Sequence, residues 1–282
     1  MGTTESEREP VEVEGEGEPS APKPRFGEED RELSYGSYLR VQELLSVQTL
    51  LSDPPAHDEL LFIVIHQAYE LWFKELLFEL ESIRECLFAG DTRRARHYLR
   101  RVHTIDRLLV EQIPILETMS PQEFLEFRHN LAPASGFQSV QFREIECLSG
   151  LKEPGTLKRL GDSPEDRARL QRRLAEPTIW DAFCHLLESR GFHMPADDPG
   201  ARRESLLRLA RDEGTYTELF AVSESLLNHD ELIASWRLRH VLMVERQIGS
   251  KTGTGGSTGV SYLKTTLEKR FYPELWDLRT YL

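Results

Sequence analysis

Four side chains have the types and surroundings to do chemistry: His240, His66, Arg128 and Thr254. His240 closes the run Trp236-Arg237-Leu238-Arg239-His240 on a strongly helical stretch that continues through Ile248-Gly249 into Lys251-Thr252-Gly253-Thr254-Gly255-Gly256-Ser257-Thr258-Gly259. An imidazole on a rigid helix can bind haem iron through one nitrogen, and a single protein ligand leaves the opposite face of the metal open for oxygen. The glycine loop that follows brings backbone N–H groups close to a bound molecule, so helix and loop together suggest a wall and a lid. A surface histidine among arginines remains the plain alternative for His240.

His66 lies within the apolar run Phe62-Ile63-Val64-Ile65-His66-Gln67-Ala68-Tyr69-Glu70-Leu71-Trp72. Its helical spacing puts Phe62 and either Tyr69 or Phe73 on the same face. A neutral imidazole there offers one donor and one acceptor, suited to a single polar atom of an otherwise apolar ligand. A core histidine satisfied by a neighbouring carbonyl fits equally well. Arg128 follows Phe124 by one turn and has no acidic residue four positions away on its own helix. Its planar fork matches a carboxylate, from a ligand or from another helix, and a solvated edge is the plain alternative.

Two phosphate motifs fail against the glycine loop. Lys251-Thr252 follows Ser250 rather than glycine, so the Walker pattern is missing, and Thr258 stands where the dinucleotide fingerprint needs its last glycine. No HExxH, Cys/His cluster or paired Glu-x-x-His of a di-iron bundle occurs.

The elements that would hold these residues are helices. Tyr38 to Leu51 reads as an amphipathic opening helix stopped by Asp53-Pro54-Pro55, Leu60 to Leu87 as a long apolar one, and Arg93 to Thr118 as a third with His97 and His103 on an exposed basic face. Ser120-Pro121-Gln122-Glu123 is a capping box that starts a helix ended by Pro133, and Val140 to Leu148 forms the next. Ser163-Pro164 repeats the start signal, Pro177 to Ser189 reads as a further helix, and Tyr216 to Ile248 is one very long run. With no alternating strand pattern, the expected fold class is an all-α helical bundle. Residues 1–30 form an acidic extension expected to be disordered, and 31–282 a single all-helical domain.

Of the net charge of −13, residues 1–34 carry eleven acidic against four basic groups, so the remainder is an ordinary surface with no basic excess for nucleic acid. No apolar run is long enough for a membrane span, and three scattered cysteines argue against a disulfide framework. A cytoplasmic protein is expected.

Taken together, these runs, with Ser34-Tyr35-Gly36-Ser37-Tyr38-Leu39, His57-Asp58-Glu59-Leu60-Leu61-Phe62-Ile63, Phe127-Arg128 and Ser135-Gly136-Phe137-Gln138-Ser139, closely resemble the tryptophan 2,3-dioxygenase family. The resemblance covers most of 34–148 and 216–282; residues before 31 and residues 150–215 match the pattern poorly. It implies a helical bundle with haem b, one per subunit, between helices, related to the indoleamine/tryptophan dioxygenase fold. It implies insertion of both atoms of O2 across the indole C2–C3 bond of L-tryptophan to give N-formylkynurenine, the first step of the kynurenine pathway.

By the same resemblance His240 is the axial ligand of the haem iron and Ser135 stands at the haem edge. His66 hydrogen-bonds the indole N–H, Phe62 and Phe124 line the indole pocket, Arg128 clamps the carboxylate, and Thr254 contacts the amino-acid end from the lid. Tyr35, Tyr38 and Leu39 are lent to a neighbouring subunit's pocket, implying a homotetramer with N-terminal exchange. Two other classes stay open from the residues alone: a non-catalytic haem or gas sensor, and a helical interaction scaffold without cofactor.

Overall fold

The computed structural model describes residues 33–159, 163–255 and 258–282. The acidic extension expected over residues 1–30 lies outside the described residues, as do Gly256 and Ser257 of the glycine loop. The chain divides into two compact units, residues up to Val47 and Gln48–Leu282.

In the N-terminal unit, α1 (Tyr35–Leu39) and α2 (Val41–Leu44) replace the single opening helix expected from Tyr38 to Leu51. Ser34 and Ser37 form a reciprocal capping box at the start of α1. Arg40 then takes a left-handed conformation (φ 50°), which caps one helix and opens the next, and helical structure ends at Leu44. The apolar spacing was real, but a single left-handed residue is enough to reset the helix axis.

The second unit is all helical among its described residues. It is built on three long helices, α3 (Glu59–Phe88), α4 (Thr92–Leu116) and α10 (Thr217–Ile248), with α4 packed along both α3 and α10. Gly90 (φ +74°) makes the tight turn from α3, and the Asp91 side chain then accepts the Arg94 N–H at 2.9 Å to cap α4. Leu99, Val102, Ile105, Leu109, Ile113 and Leu116 recur at three- and four-residue steps and are all buried, the stripe that fastens α4 between its neighbours. Each such side chain contributes about 1.5–3 kcal/mol by leaving water.

Shorter helices close the bundle: α5 (Pro121–Phe127), α6 (Val140–Ser149), α7 (Pro164–Ala175), α8 (Ile179–Ser189), α9 (Pro199–Arg211), α11 (Val260–Thr265) and α12 (Pro273–Leu278). The capping box of α5 forms as its sequence prescribes, with Ser120 N–H on Glu123 at 2.6 Å and Glu123 N–H on the Ser120 hydroxyl at 3.2 Å. Helix α9 has no counterpart among the expected elements, although Asp198-Pro199 starts it with the same cap-plus-proline signal and Asp198 accepts Ala201 N–H at 3.0 Å.

His103 corrects another expectation. It is buried rather than exposed, because α4 turns it toward α10, where its Nε2 meets the Ser225 carbonyl at 2.8 Å; His97 does face solvent. A second buried polar site joins three helices: His229 Nδ1 on α10 lies 2.7 Å from Asp106 Oδ2 on α4, with Ser149 Oγ of α6 3.3 Å from His229 Nε2. The neighbouring Asp230 accepts the backbone N–H groups of Phe271 and Tyr272 and the indole N–H of Trp276, which ties the C-terminal segment to α10.

Asp106 and His229 are fully buried, so removing one strands the other away from water. Asp106→Ala is expected to lower stability by about 3 kcal/mol, read as a fall in the urea midpoint; an unchanged midpoint would show that the pair contributes nothing. The three cysteines are free, and burial pushes the thiols of Cys147 and Cys184 up to about 11 and about 12, which keeps them protonated.

Candidate active site

One cavity of about 260 Å³ lies among α3, α5, α6, α10 and the glycine loop. It gathers Phe62, His66, Phe124, Arg128, Ser135, Thr254 and His240, seven of the ten residues singled out from the sequence. Tyr35, Tyr38 and Leu39, the other three, belong to the N-terminal unit, where α1 carries them with exposed side chains.

Helix α3 supplies one wall. Phe62 and His66 stand one turn apart with ring centroids 4.1 Å from each other, and Phe62 stacks on Phe124 of α5 at 5.8 Å. His66 Nδ1 lies 2.7 Å from the Phe62 carbonyl, so Nδ1 carries the proton and donates it to that oxygen, leaving the Nε2 lone pair free. The histidine retains accessible surface on its cavity side although protein atoms crowd it, and this burial pushes its pKa down, toward the neutral ring.

Helix α10 supplies the facing wall through His240, reached from Trp236 by one turn. Protein surrounds the imidazole, and burial, with the nearby His66 adding to it, pushes its pKa down to about 4. It is therefore neutral, with a lone pair available at neutral pH, and its accessible surface is what the cavity exposes. No hydrogen bond joins it to protein among the described residues. A helix-surface place among arginines is thereby ruled out for His240. Below it Ile113, Leu116, Met119 and Met243 form a small apolar core with Phe127.

Arg128 sits where α5 gives way to a short 3-10 turn, Arg128–Leu131, rather than inside a helix. Its Nη2 donates to the Thr252 carbonyl, while Nε is buried without a partner. Among the described residues no carboxylate pairs with it, so the interhelical glutamate finds no support. Thr254 donates its hydroxyl to the Ala134 carbonyl at 2.6 Å. Both contacts pin the glycine loop to the segment after α5, which carries Ser135, itself the cap that accepts Phe137 N–H at 3.4 Å.

The fit of that loop is close. A Cβ at Gly255 would lie 2.5 Å from Ser135 Cβ, and one at Gly259 (φ +63°) 2.5 Å from the Lys251 carbonyl oxygen. Gly255→Ala must therefore hold the loop off the cavity; ligand affinity at this site is expected to fall at least several-fold, with the melting temperature little changed. An alanine variant that binds as the parent does would show that the loop closes nothing.

Several lining residues were not singled out from the sequence. Arg143 and Glu146 of α6 pair with each other, and Glu146 Oε1 accepts from Arg237 Nη2 of α10 at 2.8 Å, a buried triad with one positive charge in excess. Trp236 lies parallel to His240, with 9° between planes and 5.5 Å between centroids. Its i, i+4 spacing to His240 was the available signal; nothing local foretold the partner of Arg237, 91 positions away.

The arrangement can hold an apolar, planar molecule against the stacked rings of Phe62 and Phe124, accept a hydrogen bond at His66, bind an anionic group at Arg128, and offer an uncharged nitrogen ligand to a metal at His240. Burial favours the neutral ring at both histidines, which suits them to accept a hydrogen bond or bind a metal rather than to carry a charge.

A family model described as Tryptophan 2,3-dioxygenase matches residues 20–198 and 199–282. Proteins named Tryptophan 2,3-dioxygenase from a Nocardioides species, Herpetosiphon aurantiacus and Caulobacter vibrioides are 57%, 46% and 42% identical to the chain over 262, 257 and 265 residues. Those alignments span 91%, 88% and 89% of this chain and 97%, 97% and 99% of the relatives. The family match includes residues 150–215 and reaches back to residue 20, so 150–215 and 20–30 have family counterparts although their motifs resemble the pattern poorly.

Proposed function

Since the chain belongs to the tryptophan 2,3-dioxygenase family, we propose that its cavity holds L-tryptophan against a haem b carried by His240, for oxidation by O2 to N-formylkynurenine. The observation that carries this reading is a pair of histidines lining one apolar cavity, one bonded to its own helix and the other hydrogen-bonded to no protein group among the described residues.

The residues present fit a haem. His240 has the free lone pair an axial ligand needs, and the excess positive charge at Arg143 and Arg237 suits acidic substituents on a buried macrocycle. When bound, haem supplies the ferrous iron that activates O2 for insertion across the indole C2–C3 bond.

The protein's own part is placement. Phe62 and Phe124 hold the indole, and His66 Nε2 accepts its N–H, orienting the ring without taking its proton. An indole N–H is far too weak an acid for a histidine of depressed pKa to deprotonate. Arg128 binds the carboxylate through its guanidinium, which protein engages only at Nη2 among the described residues, and Thr254 turns from the Ala134 carbonyl to the amino-acid end as the loop closes and excludes water. Ser135, which lines the same cavity, would help hold the haem.

The active protein is a homotetramer in which Tyr35, Tyr38 and Leu39 complete a neighbour's site, and residues 31–282 work as a single domain. Support comes from the exposure of those three side chains and from an apolar stripe on α3, where Leu60, Val64, Leu71 and Phe78 are exposed. Free, protonated cysteines favour a cytoplasmic setting, and among the described residues no helix is long and apolar enough to cross a membrane. The test is anaerobic reduction of haem-loaded protein followed by tryptophan and O2. N-formylkynurenine is expected in multiple turnovers; haem spectra without product would indicate a sensor, and a colourless protein a scaffold.

A further inference from the structure

We propose that Trp236 is the positioning residue for His240, and that an aromatic stack fixes the imidazole plane where other haem proteins use a hydrogen bond. The proposal rests on His240 being the iron ligand.

A histidine on a metal almost always donates its second N–H to a carboxylate, a backbone carbonyl or a water, which fixes ring rotation and raises basicity. His240 has no such protein partner among the described residues. Its neighbour one turn back lies flat beside it instead, the two rings 9° from parallel with centroids 5.5 Å apart. A stack of that kind resists rotation about the Cβ–Cγ bond, because turning the imidazole would drive its edge into the indole face.

Trp236 is itself held by aromatics from two helices, one of them anchored on a third. Phe142 of α6 meets it at 5.0 Å, Tyr69 and Phe73 of α3 present edges at 6.0 and 6.3 Å, and Tyr69 donates its hydroxyl to the Leu109 carbonyl of α4 at 2.8 Å. The indole N–H is buried without a well-formed hydrogen bond, and the nearby Tyr69 oxygen is the polar atom that feels it. The indole's place is therefore set by packing, and α3, α4 and α6 jointly determine the plane of a ligand that stands on α10. Without a carboxylate behind it, the imidazole stays a weakly basic, neutral ligand, which favours ferrous over ferric iron.

The test uses full-length, haem-loaded protein and the iron–histidine stretching band of the ferrous state, with haem transfer to apomyoglobin as second readout. Trp236→Leu is expected to shift and broaden the band and to speed haem loss about three- to ten-fold. Trp236→Phe, which keeps an aromatic plane, should restore most of both. Tyr69→Phe, which removes the anchor on α4 and the oxygen beside the indole N–H, should broaden the band, and it decides the question if the leucine variant does not fold.

An unmoved band and haem-loss rate in a folded Trp236→Leu protein would overturn the proposal, as would a phenylalanine variant as perturbed as the leucine one, or an unbroadened band in Tyr69→Phe where that variant decides. A wild-type protein lacking the band altogether would overturn the iron-ligand reading and this inference with it, an outcome distinct from a silent variant.

Discussion

His240→Ala is expected to abolish stable haem binding, leaving a helical, colourless protein with no turnover. The imidazole is the residue on the α10 wall with a lone pair unclaimed by protein, and α10 keeps its helix through an alanine at position 240 because alanine has the best intrinsic propensity. Absorbance of protein purified after haem supplementation, with far-UV dichroism as the control for folding, reads the result. Full haem occupancy with an unchanged Soret band would remove His240 from the iron.

The same residue sets a pH dependence. Its folded pKa of about 4 lies below the unfolded value of 6.5, so the apo-protein binds fewer protons at this site than the unfolded chain between those limits. The stability it contributes is therefore complete above 6.5 and is lost as pH falls toward about 4. Haem affinity should likewise be level near neutrality and drop only as the imidazole protonates. A drop beginning at neutral pH would contradict the depressed pKa.

Arg128→Ala is expected to raise KM for L-tryptophan by roughly 30- to 1000-fold, the range for losing a charge-assisted contact to a carboxylate in a desolvated pocket. Arg128→Lys should recover only a part, because a point charge cannot replace the planar fork. Substitution also releases the Thr252 carbonyl and so loosens the loop, which would hurt any substrate. Tryptamine, which lacks the carboxylate, separates the two effects: its weak binding should change little in Arg128→Ala if the clamp is the cause. An unchanged KM for tryptophan would eliminate the clamp, and equal losses for both ligands would assign the effect to the loop.

Most helices were legible because their signals are local. Ser120 to Glu123 form the expected cap three residues apart, and the buried positions of α4 follow the three- and four-residue spacing of its sequence. Local signals also misled where one backbone torsion overrode a periodic pattern, as at Arg40, and where the register of a helix decided which neighbour a side chain met, as at His103. Helix α9 was legible from Asp198-Pro199 but obscured by charged residues that blur its apolar face.

Sequence by itself determined an all-helical chain, family membership through separated motifs, and the types of residue that a haem-dependent oxidation of tryptophan would need. Tertiary structure decided that Phe62, His66, Phe124, Arg128, Ser135, Thr254 and His240 line one cavity, that burial there favours the neutral form of both histidines, and that no carboxylate among the described residues pairs with Arg128. It alone placed Trp236 against His240 within a ring of aromatics from α3 and α6, and joined Arg237 to Glu146 and His229 to Asp106. Caps and periodicity act over a few bonds and are written in neighbouring residues, whereas protonation states and long-range pairs depend on which helices meet and what water they exclude.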